Sequence, residues 1–156
     1  VIPVAIDILG FTDAAMSHTM ATGRFERVNG HEPKNAPPTG GLTGAVWTDR
    51  IIPIRGRSGL DSVTAVVVLN VRIYASAVSE PADAIDPEMV AAADDVVRAF
   101  IGDFTLGGTV SNVDIFGAHG QALDVRAGYL TQDGVPFRVL TIWLPCVVND
   151  LWTEVA

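Results

Sequence analysis

Ser62 to Ser76 reads SVTAVVVLNVRIYAS, fifteen residues in an unbroken strand-like pattern. One face carries Val63, Ala65, Val67, Leu69, Val71 and Ile73, and the other carries Thr64, Val66, Val68, Asn70, Arg72 and Tyr74. The period is two, as it must be where successive side chains point to opposite faces, and the second face turns polar toward its end. At about 3.3 Å per residue such a strand is roughly 50 Å long. A compact chain of this length has a radius of gyration of about 15 Å, so an equivalent sphere is only about 40 Å across. The strand is therefore expected to overhang its own domain, and an apolar overhang needs a cover. That expectation points to an assembled protein.

The remaining composition agrees with assembly. The 156 residues suit a single domain, 1–156, large enough for a core. Hydrophobic residues make up 49% and charged residues 18%, with a mean hydropathy of +0.35. This is lean in charge for a free-standing monomer, and burial between subunits would absorb the excess apolar surface. No apolar run reaches the length of a membrane helix, and Val1 to Asp7 lacks the basic start of a secretory signal. Cys146 is the single cysteine, so neither an intrachain disulfide nor a cysteine-based zinc site can form, and its apolar setting, LPCVV, predicts a buried, inert thiol. Charge is uneven. Residues 1–58 hold six bases and five acids, whereas residues 59–156 hold four bases and thirteen acids, seven of these between Glu80 and Asp103. Without a basic stripe, binding of nucleic acid through its phosphates is not expected.

Outward from the long strand, Phe11 to Val28 reads as a helix with Thr12 or Asp13 as its cap and Asn29-Gly30 as its stop. Ala14, Ala21, Phe25 and Val28 fall on one side of it. A Pro/Gly-rich loop, 29–41, leads to a strand within Leu42 to Ile54 that Pro53 stops or pushes to an edge. Arg55 to Gly59 is a basic turn. A second helix starts at Asp86 as N-cap with Pro87 in its first turn, and Val90, Ala93, Val97, Phe100, Ile101 and Phe104 form its apolar stripe. Three strands follow, at about 109–115, 122–130 and 136–144, the last two joined by Asp133-Gly134, a hairpin signal. A tail occupies 149–156. The order α-β-β-α-β-β-β predicts an α+β fold, a mostly antiparallel sheet with two flanking helices.

No catalytic constellation emerges. His18, His31 and His119 lack the i+3 or i+4 partners of a metal motif. Gly107-Gly108 follows a helix, the reverse of a phosphate loop, and no serine sits in a nucleophile elbow. Paired acids such as Asp94-Asp95 read as a solvated helix face. No enzyme activity, metal or cofactor is expected.

Several phrases do carry a resemblance: MATGRFERVNGHEPK (20–34), GLTGAVW (41–47), VRIY (71–74), EPADAIDP (80–87), GDFTLGG (102–108), AGYLTQDG (127–134) and FRVLTIWLP (137–145). Together they resemble the tail terminator proteins of long-tailed (siphovirus-type) bacteriophages, in particular those of actinobacteria. The resemblance implies a structural virion protein that forms a hexameric ring, caps the tail tube, stops its polymerisation and joins the tail to head-completion, or neck, proteins. It also implies assembly in the host cytoplasm, a place at the tail–neck junction and DNA as a passenger through the lumen, with no membrane partner. Rival readings are a head-closure or neck connector, a tail tube subunit and, more remotely, a small ligand-binding domain or enzyme.

Interface candidates follow from physical reasoning about a ring rather than from the family. They are Arg50, Arg55, Arg57, Arg72 and Tyr74 around the strands, His31 and Lys34 on the loop, and Trp152 in the tail. The acidic 80–103 block is expected to face the basic arginines across a subunit boundary.

Overall fold

A computed structural model describes residues 8–34, 41–55, 62–77, 85–103 and 105–153. Its elements are α1 (Ile8–Ala21), β1 (Arg27–Asn29), β2 (Thr43–Pro53), β3 (Ser62–Ser76), α2 (Ile85–Gly102), β4 (Asn112–Val113), β5 (Asp124–Gln132) and β6 (Val135–Thr153). They build one mixed sheet in the order β1-β2-β3-β6-β4, with β5 also on β6. β1 and β2 are parallel and every other pairing is antiparallel. The α+β class and the two helices agree with the sequence pattern. Among the described residues no helix is long and apolar enough to cross a membrane.

β3 spans the predicted residues, but it is the middle of the sheet rather than an overhang. β2 lines one side of it, and β6 pairs along the other from Ser62↔Thr153 to Ser76↔Phe137. Its cover is internal, so strand length by itself does not require a partner. The expectation failed because β6 runs nineteen residues, well past the predicted stop at Leu144. Pro145 sits inside it. The Pro145 carbonyl accepts from the Asp114 amide at 2.9 Å on the side away from β3. N–H and C=O of one strand residue point the same way, so the missing donor faces the gap where β5 pairing ends, at Trp143, and β4 pairing begins, at Cys146. Accordingly the predicted tail 149–156 is, as far as Thr153, the end of a strand.

α1 is displaced from its predicted span. It stops at Ala21, and Gly23, at φ 72°, turns the chain with its amide on the Met20 carbonyl. Thr12 and Asp13 therefore lie within the helix instead of capping it. Thr12, Ala15 and Thr19 form its buried line, while Phe25 and Val28 pack after the turn, beside or within β1.

α2 begins where the Asp-Pro signal placed it, but its phase differs. Met89, Ala92, Ala93, Val96 and Phe100 are buried, whereas Val90 is 60% and Ile101 46% exposed. Phe104 lies outside the described residues. The predicted strand 109–115 contracts to the two residues of β4. The β5–β6 hairpin forms as read: Gln132 pairs with Val135, and Asp133 and Gly134 take φ of 51° and 74°. A two-residue turn of this hand needs positive φ at both positions.

The main core lies between the helices and one sheet face. Val67, Leu69, Val71 and Ile73 of β3 and Leu140, Ile142, Leu144 and Cys146 of β6 meet α2 there. The opposite face holds two smaller clusters built from strand and strand-flanking residues alone.

Candidate functional site

The face opposite the helices is the most distinctive surface of the molecule. Trp47, Asn70, Trp143 and Asp124 are register partners across β2, β3, β6 and β5. Two residues along, Asn29, Ala45, Arg72, Thr141 and Arg126 form the neighbouring row, and Arg27, Thr43, Tyr74 and Val139 the next. Period-two alternation puts these side chains on one face.

The rows interlock diagonally. The Arg72 guanidinium lies 5.1 Å from the Trp47 ring centre, and Arg126 lies 4.6 Å from that of Trp143. Arg72 Nε donates to Thr141 Oγ1 at 2.9 Å, and Arg126 Nε pairs with Asp124 at 2.9 Å. Diagonal neighbours in a sheet are within reach of long side chains, and guanidinium–indole stacking is worth about 0.5–1 kcal/mol where exposed. The stems of Arg72 and Arg126 thus cover apolar surface while their charged ends stay near water.

A bulge adds a further arginine. Between Thr48 and Arg50 the β2 register shifts, so Thr48 faces Leu69 but Arg50 faces Val68. One inserted residue, Asp49, carries Arg50 from the helix side to the same face as Arg72. Arg50 hydrogen-bonds Gln121, and Asn70 Nδ2 donates to Asp49 Oδ1 at 3.3 Å. Asn70 is only 5% exposed and its Oδ1 has no hydrogen-bond partner among the described residues. An orphaned buried acceptor marks a place where something polar is wanted.

Of the sequence candidates, Arg50 and Arg72 are brought together here. Tyr74 shares the face but is 1% exposed, edge-on to Phe137 at 6.1 Å between ring centres, so it is a core residue and no contact for a partner. Burial pushes its phenol upward, against the lowering effect of Arg72 beside it. Arg55 is exposed just beyond β2, and Arg57 lies outside the described residues. His31 and Lys34 are exposed on the stretch after β1, which Gln132 ties down through a 2.6 Å bond to the Pro33 carbonyl. Trp152 is half-buried and opposite Val63 in the sheet.

Arg27 and Arg126 were missed. Arg27 was assigned to a helix, where its face could not be read. Arg126 was legible: with Asp124 it is an i,i+2 pair on one strand face.

Away from this face, His18, Asp103 and Cys146 are held within the fold. His18 Nδ1 is 2.8 Å from the Ala14 carbonyl and Nε2 is 2.9 Å from Asp103, so the ring links α1 to the end of α2. For Asp103, burial acts upward, but hydrogen bonds from His18, the Gly107 amide and Thr105 outweigh it and hold the carboxyl below its usual range. Cys146 is fully buried, and desolvation pushes its thiol up to about 12. Among the described residues no group of three His, Cys, Asp or Glu side chains gathers to hold a metal.

No protein-family model matches the chain, and no curated protein matches it. One solved structure similar to it is a chain described as virion of native gene transfer agent (GTA) particle, at 12% identity and a TM-score of 0.45, covering 95% of this chain and 98% of that one. A score and identity at that level establish neither a common fold nor a common role.

Proposed function

We propose that this is a structural virion protein of the tail-terminator kind. It forms a ring that caps the tail tube, ends its growth and presents the finished tail to the neck proteins. One observation carries the reading: the phrases that resemble tail terminators lie within, or lead into, the elements of one continuous fold. GLTGAVW enters β2, VRIY lies in β3, IDP opens α2, and QDG closes the β5–β6 hairpin. They are the places where a chain of this topology is constrained to turn, start or pair. The proposed role needs surfaces for neighbours and no reaction centre, and a ring of six copies at the tail–neck junction supplies its partners: itself, the tube protein and a head-completion protein.

The test is electron microscopy of particles from a phage lacking this gene. Overlong tails support termination. Normal tails without heads would instead identify a neck joiner, and absent tails a tube subunit.

A further inference from the structure

The outer edge of β5 is open. Gln132 and Val135 flank the two-residue turn as a hydrogen-bonded pair, and the β5–β6 register continues without a break to Asp124↔Trp143. Backbone groups of Asp124, Arg126, Gly128, Leu130 and Gln132 therefore point toward β6, and those of Val125, Ala127, Tyr129 and Thr131 point away from it. Among the described residues no strand lies beyond β5, and no backbone hydrogen bond meets the outward groups of these four. All four residues are exposed.

Sheet edges are ordinarily blunted by shortness, proline, lysine or a bulge. The far side of the sheet follows that rule: β1 has three residues, and β2 beyond it carries the Asp49 bulge and ends at Pro53. β5 has nine residues, neither proline nor lysine, and no bulge. The side chains along it are apolar as well. Val125 and Tyr129, on its helix side, are 40% and 76% exposed, and with Val90 of α2 they make three of the six exposed large apolar residues among those described. Val125 shares a shallow apolar groove with Val90, Ala93 and Val97, and Tyr129 borders a second hollow with Ile85 and Arg138. The two hollows lie beside strand positions four residues apart, about 13 Å.

Main-chain donors and acceptors alternating along one edge are met by one kind of group, the backbone of another extended strand. We infer that β5 is a docking edge for an extended segment of a different protein, which adds as a further strand and carries apolar side chains at every second position. Two of these, four residues apart, enter the hollows at Val125 and Tyr129. A copy of this chain is a poor source of that strand. Its opposite edge offers three residues and then a bulge, which cannot stay in register with nine, and pairing of β5 with β5 closes at two copies. The inference goes beyond the ring and does not rest on it, because the edge belongs to the isolated chain and is tested there.

The probe is a pool of fluorescein-labelled nonapeptides in which valine, isoleucine, leucine or tyrosine alternates with threonine or lysine. The control pool has the same composition with the alternation scrambled. In fluorescence polarisation with the full chain, the alternating pool should bind about tenfold or more tightly than the control. Hydrogen exchange of that complex should slow at the amides of Val125, Ala127, Tyr129 and Thr131 and stay unchanged at their neighbours on β6. Ala127→Pro removes one outward donor and leaves the pairing with β6 whole, so it should weaken binding about tenfold or more. Ala127→Ser keeps the donor and should bind like wild type, and Thr131→Pro repeats the test at a second outward position. Equal binding of the two pools, binding of neither, proline variants that bind like wild type, or protection away from β5 would overturn the inference. So would a dimer of the chain alone that already shields these amides. Tail length in the gene deletion tests the ring and is independent of all these results.

Discussion

Individual residues separate what is packed from what is presented. Met89 and Val90 are adjacent, yet the first is buried and the second is mostly exposed. Met89→Ala should cost about 2–5 kcal/mol, because it leaves a cavity under α2. Val90→Ala should stay within about 0.5 kcal/mol for the monomer. Chemical denaturation of the two variants, in dilute protein, checks the helix phase directly. The buried Cys146 thiol makes a separate prediction. Its folded value, about 12, lies above the 9.0 of a free thiol, so the folded state holds the proton longer. The stability this group contributes is complete below about pH 9 and is lost as pH rises toward 12, at up to about 1.4 kcal/mol per unit. A Cys146→Ala variant should show a flatter alkaline limb, and the native thiol should resist alkylation at pH 8 until the chain unfolds. Asp103 has the opposite sign: its lowered value contributes stability above the unfolded range and loses it as acid protonates it. Asp103→Asn should therefore flatten the acid limb of a stability–pH profile.

At the level of elements, the legible features were those set by near neighbours in sequence. Alternation along β3, the Asp-Pro start of α2 and the Asp-Gly turn are local properties, and the fold honours each. Gly134→Ala tests the turn: a Cβ there meets no atom within 4 Å, so its cost comes from the positive φ alone, about 1–2 kcal/mol in a thermal melt. The illegible features depended on which partner came alongside. A proline that reads as a strand end is harmless at 145 because its missing donor faces a gap between β5 and β4. Nothing near Pro145 in sequence announces that gap. α2 likewise carries enough apolar residues for two stripes, and sequence periodicity could not choose which would face the sheet.

For the molecule as a whole, charge pairs elements that are distant in sequence. Arg24 reaches Asp95 of α2 at 2.7 Å and Arg138 of β6 reaches Asp86 at 3.0 Å, both near the surface where salt screens them. Arg24→Ala should therefore cost no more than about 1 kcal/mol in chemical denaturation, and less at high salt. Sequence by itself determined the class of fold, the extent of β3 and the hairpin, because each follows from residue type at short spacing. Tertiary structure alone decided that β3 is covered by its own chain, that the Asp49 bulge turns Arg50 to the face of Arg72, that Arg27 joins them from an unforeseen strand, and that Tyr74 is core. The reason is that a side chain's face is set by register, and register is a contact between segments as much as ninety-one residues apart, as Ser62 and Thr153 are, which no local pattern contains.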